Sequence, residues 1–242
     1  MAWSTSSNTP QQKHEVFLSF RGEDTRYTFT SHLHATLTRL DVGTYIDYHL
    51  QRGDEISSAL LRAIEEASLS VVVFSKNYGN SKWCLDELVK ILECKKMRGQ
   101  IVLPIFYDIE PSDVRNQTGS YADAFVKHEE RFHGNLERVQ KWREALREAA
   151  NLSGWDCSTN RMESELLEKI AKDVLEKLNR VYVGDLDQKI AKYEELAKLQ
   201  YQFFVSTLNT VDLNKHNATV ARITELKMER SLRLLRVTPD ML

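Results

Sequence analysis

A chain of 242 residues with 42% apolar and 28% charged side chains has an ordinary globular composition and room for one full domain plus an appendage. Its formal net charge of −2 excludes the strongly basic footprint of a dedicated nucleic-acid binder, leaving a local patch as the only route to such a partner. Three cysteines, Cys84, Cys94 and Cys157, do not suggest a disulfide framework and fit a reducing compartment, and no Cys/His group has metal-ligand spacing.

Residues 1–12 are polar and read as a disordered segment without the charged start and apolar run of a secretory signal. No stretch approaches the ~20 apolar residues of a membrane span. A cytoplasmic or nucleo-cytoplasmic location is therefore expected, with the sequons at Asn116, Asn151 and Asn217 unused.

Val16–Phe20 is the first strand candidate. Phe29, Leu33, Leu37 and Leu40 then recur at helical spacing within Arg26–Leu40, and Gly43 stops that helix. Thr44–Asp47 predicts a short second strand and Ile56–Ala67 a helix. Leu69–Phe74 is a continuous apolar run, the pattern of a strand buried on both faces. Ser81 is placed to cap a helix carrying Cys84, Leu88, Ile91 and Leu92 on one stripe.

Ile101–Tyr107 predicts a fourth strand, in which Pro104 hints at an edge or a bulge. Pro111–Asp113 reads as a turn. Helices are predicted over Tyr121–Phe132 and Leu136–Ala150, a short strand over Leu152–Trp155, and an amphipathic helix over Glu163–Leu178. Beyond Tyr182, one helix reaches towards Leu208, a polar loop spans Asn209–Asn217, and a second helix follows from Ala218 to Arg236. These two make a helical hairpin without a sustained heptad.

Alternating strands and helices predict a parallel sheet covered on both faces, with right-handed crossovers and ligands at the carboxyl ends of the strands. The loops in that position are Arg21–Thr25, Tyr48–Glu55, Ser75–Ser81 and Asp108–Thr118. The sequence lacks G-x-G-x-x-G, G-x-x-x-x-G-K-[ST], G-x-S-x-G and H-E-x-x-H, so no common catalytic signature declares a reaction.

Two segments could carry chemistry. Trp83 and Glu87 are four apart and share a helix face, so an aromatic and a carboxylate project together near a helix start. An indole there can stack on a purine while the acid reaches a ribose, or the Trp packs and the Glu is merely solvated. In Arg21-Gly22-Glu23-Asp24-Thr25-Arg26, helix-start N–H groups and the arginines could hold a phosphate. Equally, Glu23 and Asp24 could cap the helix and pair with those arginines. Gln51–Ile56 is a loop, and His32, His34, His128 and His133 have no metal-ligand partner in sequence.

Taken together, these segments resemble the TIR (Toll/interleukin-1 receptor) domain of plant disease resistance proteins. The blocks are Glu15–Arg26, Tyr45-Ile46-Asp47 with Gly53-Asp54-Glu55-Ile56, and Val71–Ser75 with Tyr78. Ser81–Leu88 follows, then Leu103–Tyr107, Pro111–Arg115 and Trp142–Leu146. The resemblance covers residues 13–179, taken as the domain, with 180–242 as a helical extension.

It implies an α/β fold, a flavodoxin-like sheet of five parallel strands with helices on both faces. It also implies hydrolysis of NAD⁺ (or NADP⁺) as substrate rather than cofactor, yielding signalling nucleotides in innate immunity. Glu87 matches the family's catalytic glutamate and Trp83 the aromatic stacked on adenine. Arg21, Gly22, Glu23, Asp24, Thr25, Arg26, Gly53 and Ile56 match the nucleotide-lining loops. Cys84 matches a cysteine linked to a second activity on nucleic acid. Ser31 and His32 match one self-association surface, and Gly154 lies in the region of another. The implied partners are further copies of the chain and other TIR-type receptors, with no membrane and no metal.

A non-catalytic TIR–TIR interaction module is the alternative reading, and an RNA- or DNA-processing enzyme that depends on Cys84, with nucleic acid as a partner, is a third. Val183-Gly184 resembles the junction to a further domain, yet no P-loop follows, so the chain reads as TIR-only or as a truncated receptor.

Overall fold

A computed structural model describes residues 14–47, 58–157 and 163–235. The elements are β1 (Val16–Phe20), α1 (Gly22–Thr25), α2 (Phe29–Arg39), β2 (Thr44–Tyr45), α3 (Ser58–Glu66) and β3 (Leu69–Phe74). A 3₁₀ turn (Tyr78–Asn80) precedes α4 (Lys82–Arg98). Then follow β4 (Ile101–Phe106), α5 (Pro111–Asn116), α6 (Ser120–Arg131), α7 (Leu136–Ala149), β5 (Trp155–Asp156), α8 (Glu163–Thr207) and α9 (Thr210–Leu235). The chain divides into two compact units, the first ending at Ala171 and the second beginning at Lys172.

In the first unit all strand pairs are parallel and run in the order β2-β1-β3-β4-β5, the flavodoxin-like sheet expected. Every residue of β1 and β3 is buried, which is why these strands read as unbroken apolar runs. Phe17, Val72, Phe74, Val102 and Phe106 join Leu60, Ile64, Leu85, Leu88, Trp142 and Leu146 in one core. The alternate residues Leu18, Val71, Val73, Leu103 and Ile105 are equally buried but outside that cluster, on the opposite face. Ser19 shares the parity of Phe17, so the only hydroxyl of β1 points towards the α3–α4–α7 side.

Several local expectations are corrected. The helix predicted over Arg26–Leu40 begins only at Phe29, and a separate single turn, Gly22–Thr25, precedes it. Pro111–Asp113 is not a free turn but the first turn of α5, where proline at the start sacrifices no intrahelical hydrogen bond. Pro104 lies within β4, between β3 and β5, rather than on an edge strand. β5 pairs only with Ile105 and Phe106, and the Pro104 carbonyl oxygen faces Gly154. The missing N–H is thus on the outer side just before β5 begins. The short strand expected over Leu152–Trp155 is Trp155–Asp156.

The second unit is a pair of antiparallel helices. The polar stretch expected to loop over Asn209–Asn217 is helical from Thr210 onwards. The reversal needs only Leu208, with φ 51°, and Asn209, whose Oδ1 accepts from Val211 N at 2.9 Å. Polar residues there coat a helix surface, and their polarity does not break the helix. Leu186, Ile190 and Ala197 pack against Ile223 and Leu226, and the ion pairs Arg230–Asp187 and Lys227–Glu194 flank them. Among the described residues no helix is long and apolar enough to cross a membrane.

Candidate functional site

A cavity of about 780 Å³ opens at the carboxyl end of β1. Its walls are Phe20 and the following Arg21, Gly22, Glu23 and Arg26; Asp47 beyond β2; the segment Asn80–Cys84 with Glu87; and His128 and Arg131 of α6. The volume falls in the range of small-molecule and cofactor sites, and the place is where open parallel sheets bind ligands.

The start of α4 aims the site. Ser81 accepts at Oγ from Cys84 N at 3.3 Å, capping the helix as its sequence predicts. Gly99, at φ 69°, closes the other end. Glu87 sits on the face of α4 against β1 and is only 3% exposed. Ser19 Oγ lies 2.8 Å from its Oε2. Ser19 in turn lies 3.0 Å from the Tyr78 hydroxyl, which donates to the Cys84 carbonyl at 2.9 Å. Burial raises the Glu87 carboxyl to about 8, the Ser19 hydrogen bond opposing and the charges of Asp47 and Asp86 adding. Glu87 is therefore mainly a neutral acid at pH 7.

The segment after β1 splits into two roles. Arg21 forks onto Glu23 and Asp24. Arg26 donates to the Asp47 carbonyl at 3.2 Å and lies over the Phe20 ring at 5.5 Å. A Cβ on Gly22 would stand 2.6 Å from an Arg26 guanidinium nitrogen, so glycine lets that arginine fold back over the turn. Asp24 and Thr25 are not among the cavity-lining residues. Asp24 accepts from Ser75 Oγ at 2.5 Å and Asn77 N at 3.1 Å, tying the turn to the loop after β3. Thr25 is buried and accepts from the Thr30 hydroxyl at 2.8 Å.

Trp83 is half-buried on the cavity wall, with the Lys82 ammonium 4.1 Å from its ring centroid. Cys84 also borders the cavity but is buried, its thiol directed at the Phe20 carbonyl at 3.5 Å. Burial, helped by the nearby Glu87 charge, pushes that thiol far above its ordinary range, so it rests as a packed neutral thiol. His128 Nε2 lies 2.8 Å from the Gly79 carbonyl, which only accepts, so that nitrogen carries the proton. Burial lowers its basicity, making it a neutral wall residue.

Ser31, His32 and Gly154 lie away from the cavity. Ser31 donates to the Thr28 carbonyl at 2.9 Å, and exposed His32 meets Glu163 at 3.1 Å. A Cβ on Gly154 would stand 2.2 Å from the Pro104 carbonyl oxygen, so β5 reaches β4 only because this residue has no side chain. Gly53, Ile56 and the loop Tyr48–Glu55 lie outside the described residues.

Sequence reasoning did not single out Ser19, Asp47, His128 or Arg131. A lone hydroxyl in a strand buried on both faces must find a partner, and that signal could have marked Ser19. It also missed Asp86, which accepts from Trp142 Nε1 at 2.8 Å and from Arg138 Nε at 3.2 Å, pinning α4 to α7.

Comparison with known proteins gives a consistent answer. A family profile described as TIR domain matches residues 13–192. Disease resistance protein RPV1 of Vitis rotundifolia is 50% identical over 187 residues, 75% of this chain and 13% of RPV1. TMV resistance protein N of Nicotiana glutinosa is 43% identical over 198 residues, 81% of this chain and 17% of that protein. Among solved structures, the TIR domains of the activated Roq1 resistosome, which directly recognizes the pathogen effector XopQ, match with a TM-score of 0.62 and 50% identity. That match covers 66% of this chain and 98% of the Roq1 one. The chain thus spans less than a fifth of the length of these two curated relatives.

Proposed function

The chain belongs to the TIR domain family, with plant disease resistance proteins as relatives, and from that premise we propose that it cleaves nicotinamide from NAD⁺ (or NADP⁺), using Glu87 as the reacting carboxylate. The observation that carries this reading is a buried carboxyl in the wall of a nucleotide-sized cavity, on the same wall as a half-buried indole.

The reaction asks little of the protein. The bond between the nicotinamide nitrogen and the ribose anomeric carbon breaks, and its electron pair leaves with the ring, which departs neutral. Positive charge develops on the sugar, water adds to it and a proton is released, so no general acid is needed. One carboxylate facing that charge suffices, unlike the pair used by ordinary glycosidases. Electrostatic help of this kind contributes about 3–4 kcal/mol per group. Glu87 acts in its ionised form, which the approaching cationic ring favours.

The other residues bind. Trp83 offers an aromatic face to adenine, while Lys82 covers one side of the ring in the resting site. Arg21 and Arg26 border the cavity where a pyrophosphate would lie, Arg21 exchanging Glu23 for phosphate. Gly53 and Ile56 complete the nucleotide loops in this reading. Ser31, His32 and Gly154 are proposed as self-association contacts with further copies or other TIR-type receptors in the cytoplasm, where NAD⁺ is available. The Roq1 TIR domains, described within an activated resistosome, support such assembly. Cys84 receives no nucleophilic role, so nucleic acid is not proposed as a substrate.

The test is nicotinamide release by the purified chain at high concentration beside Glu87→Ala. Release from the wild type alone is expected. Equal, slow release from both would instead favour a module that only assembles partners.

A further inference from the structure

Three buried contacts link Glu87 to the backbone, and their hydrogens can be counted. Tyr78 Oη lies 2.9 Å from the Cys84 carbonyl. A carbonyl only accepts, so the single hydroxyl hydrogen of Tyr78 belongs to that contact. The 3.0 Å contact between Tyr78 and Ser19 must then take its hydrogen from Ser19. With the Ser19 hydrogen so used, the 2.8 Å contact between Ser19 and Glu87 Oε2 must take its hydrogen from Glu87. Three contacts are satisfied only when Glu87 is an acid. If it ionises, Ser19 turns its hydrogen to Oε2, and two hydroxyl oxygens face each other at 3.0 Å with none between them. Ser19 and Tyr78 are fully buried, so solvent cannot repair the mismatch.

We propose that Tyr78, by engaging the Ser19 hydroxyl in a closed hydrogen-bond chain, holds a proton on Glu87 in the resting domain, so that Tyr78 and Ser19 are positioning residues, Tyr78 keeping the site silent and Ser19 ready to turn to the carboxylate once a cation enters. This rests on the reading of Glu87 as the reacting carboxylate. The chain ends on a backbone carbonyl, so the proton cannot leave along it. It leaves from the cavity side, where Glu87–COOH and water give Glu87–COO⁻ and hydronium.

The surroundings push the same way. Asp47 and Asp86 disfavour a further negative charge, and burial favours the neutral acid. Tyr45, on β2, Tyr78, before α4, and Cys84, on α4, in turn feel the charge of an ionised Glu87, which raises all three. The cavity cations Arg21 and Arg26 are held by Glu23 and Asp24 and by the Asp47 carbonyl, and Lys82 lies over Trp83. Arg131 and His128 line the α6 wall, His128 as a neutral imidazole. Among the described residues Oε1 has no hydrogen-bond donor, so it is the oxygen open to a substrate hydroxyl.

The chain predicts opposite effects from two variants. Ser19→Ala removes the only donor to the carboxylate among the described residues, a charge-assisted bond stronger than the neutral one lost with it, so ionisation becomes harder. Tyr78→Phe removes the oxygen that opposes Ser19 turning to Glu87, so ionisation becomes easier. The readout is a pH titration of the Glu87 carboxyl by ¹³C NMR of glutamate-labelled protein, assigned by its loss in Glu87→Gln, beside the pH profile of nicotinamide release. The expected midpoint rises by about one pH unit in Ser19→Ala and falls by about one in Tyr78→Phe, each a tenfold change in the equilibrium. Shifts of the same sign, or none, overturn the chain. If either variant fails to fold, the infrared carbonyl stretch of a protonated carboxyl in wild type at pH 6.5, absent from Glu87→Gln, must still be seen, and its absence overturns it too. Opposite carboxyl shifts without any nicotinamide release uphold the chain and sink the catalytic reading. Release with unmoved carboxyl midpoints does the reverse.

Discussion

Asp86 and Glu87 are neighbours in sequence and belong to different regions of the domain. Asp86 faces α7, where Trp142 Nε1 and the Arg138 guanidinium meet both its oxygens. Glu87 faces β1 and the cavity, where its one protein partner among the described residues is a neutral hydroxyl. On the α7 side a carboxylate is satisfied by a cation and serves packing. On the β1 side burial without a cation raises a carboxyl to about 8. Two residues of one helix separate structure from chemistry because the helix turns them to opposite neighbours, a division that charge along the sequence does not reveal.

The largest effect that sharpens this contrast is expected from Glu87→Gln. It should lower the rate of nicotinamide release by roughly 10²–10³-fold. Its effect on stability has a definite sign. The folded-state value of Glu87 lies above the usual 4.5, so its stabilising contribution is fully present below pH 4.5 and is lost as pH rises through 8. Glu87→Gln lacks that loss. Its melting temperature should exceed that of the wild type increasingly between pH 5 and pH 9, by an amount equivalent to about 3–5 kcal/mol at the alkaline end. A calorimetric pH series in which the two curves stay parallel would contradict the assignment of a buried, uncompensated acid.

Asp86→Ala should do the opposite. It strands the indole N–H of fully buried Trp142 and leaves Arg138 without its partner, costing about 2 kcal/mol, or roughly 5 °C in melting temperature for a chain of this size. Nicotinamide release per folded molecule should fall far less than in Glu87→Gln. Should Asp86→Ala silence release while melting like the wild type, the two sides of α4 would not be divided as described. Ser81→Ala tests the element common to both. Loss of its bond to Cys84 N should cost about 1 kcal/mol and weaken stability and activity together, seen as a small drop in both assays.

The contrast also explains what could be read from the sequence. The five strands, the Ser81 cap and the Trp83–Glu87 pairing depend on short-range periodicity, and Glu87 with Trp83 does line the cavity. The partners that give Glu87 its character do not. Ser19 lies 68 residues away in sequence, and Arg138 and Trp142 lie 52 and 56 residues from Asp86. Only strand order brings them together. In the second unit, the polar run from Thr210 was misread because helix surfaces and loops share a composition, while Leu208 and Asn209 alone suffice to turn the chain. The role of Asp24 escaped for a related reason, since its carboxylate is occupied by Ser75 and Asn77 of a loop some fifty residues on.

The smallest expected effect concerns the mouth of the cavity rather than its floor. Arg21 is shared between Asp24, which is largely buried, and Glu23, whose side chain is 49% exposed. Asp24 anchors the turn, so its hold on Arg21 persists whatever binds. In the proposed reading, Glu23 competes with an incoming pyrophosphate for the outer guanidinium nitrogen. An exposed pair of this kind contributes about 0.2–1 kcal/mol, so Glu23→Gln should lower KM for NAD⁺ by no more than about fivefold while leaving kcat unchanged, and the gain should shrink as salt is added. A change in kcat instead would mean that Glu23 reaches the reacting sugar, and the partition between a binding rim and a single reacting carboxyl would have to be redrawn.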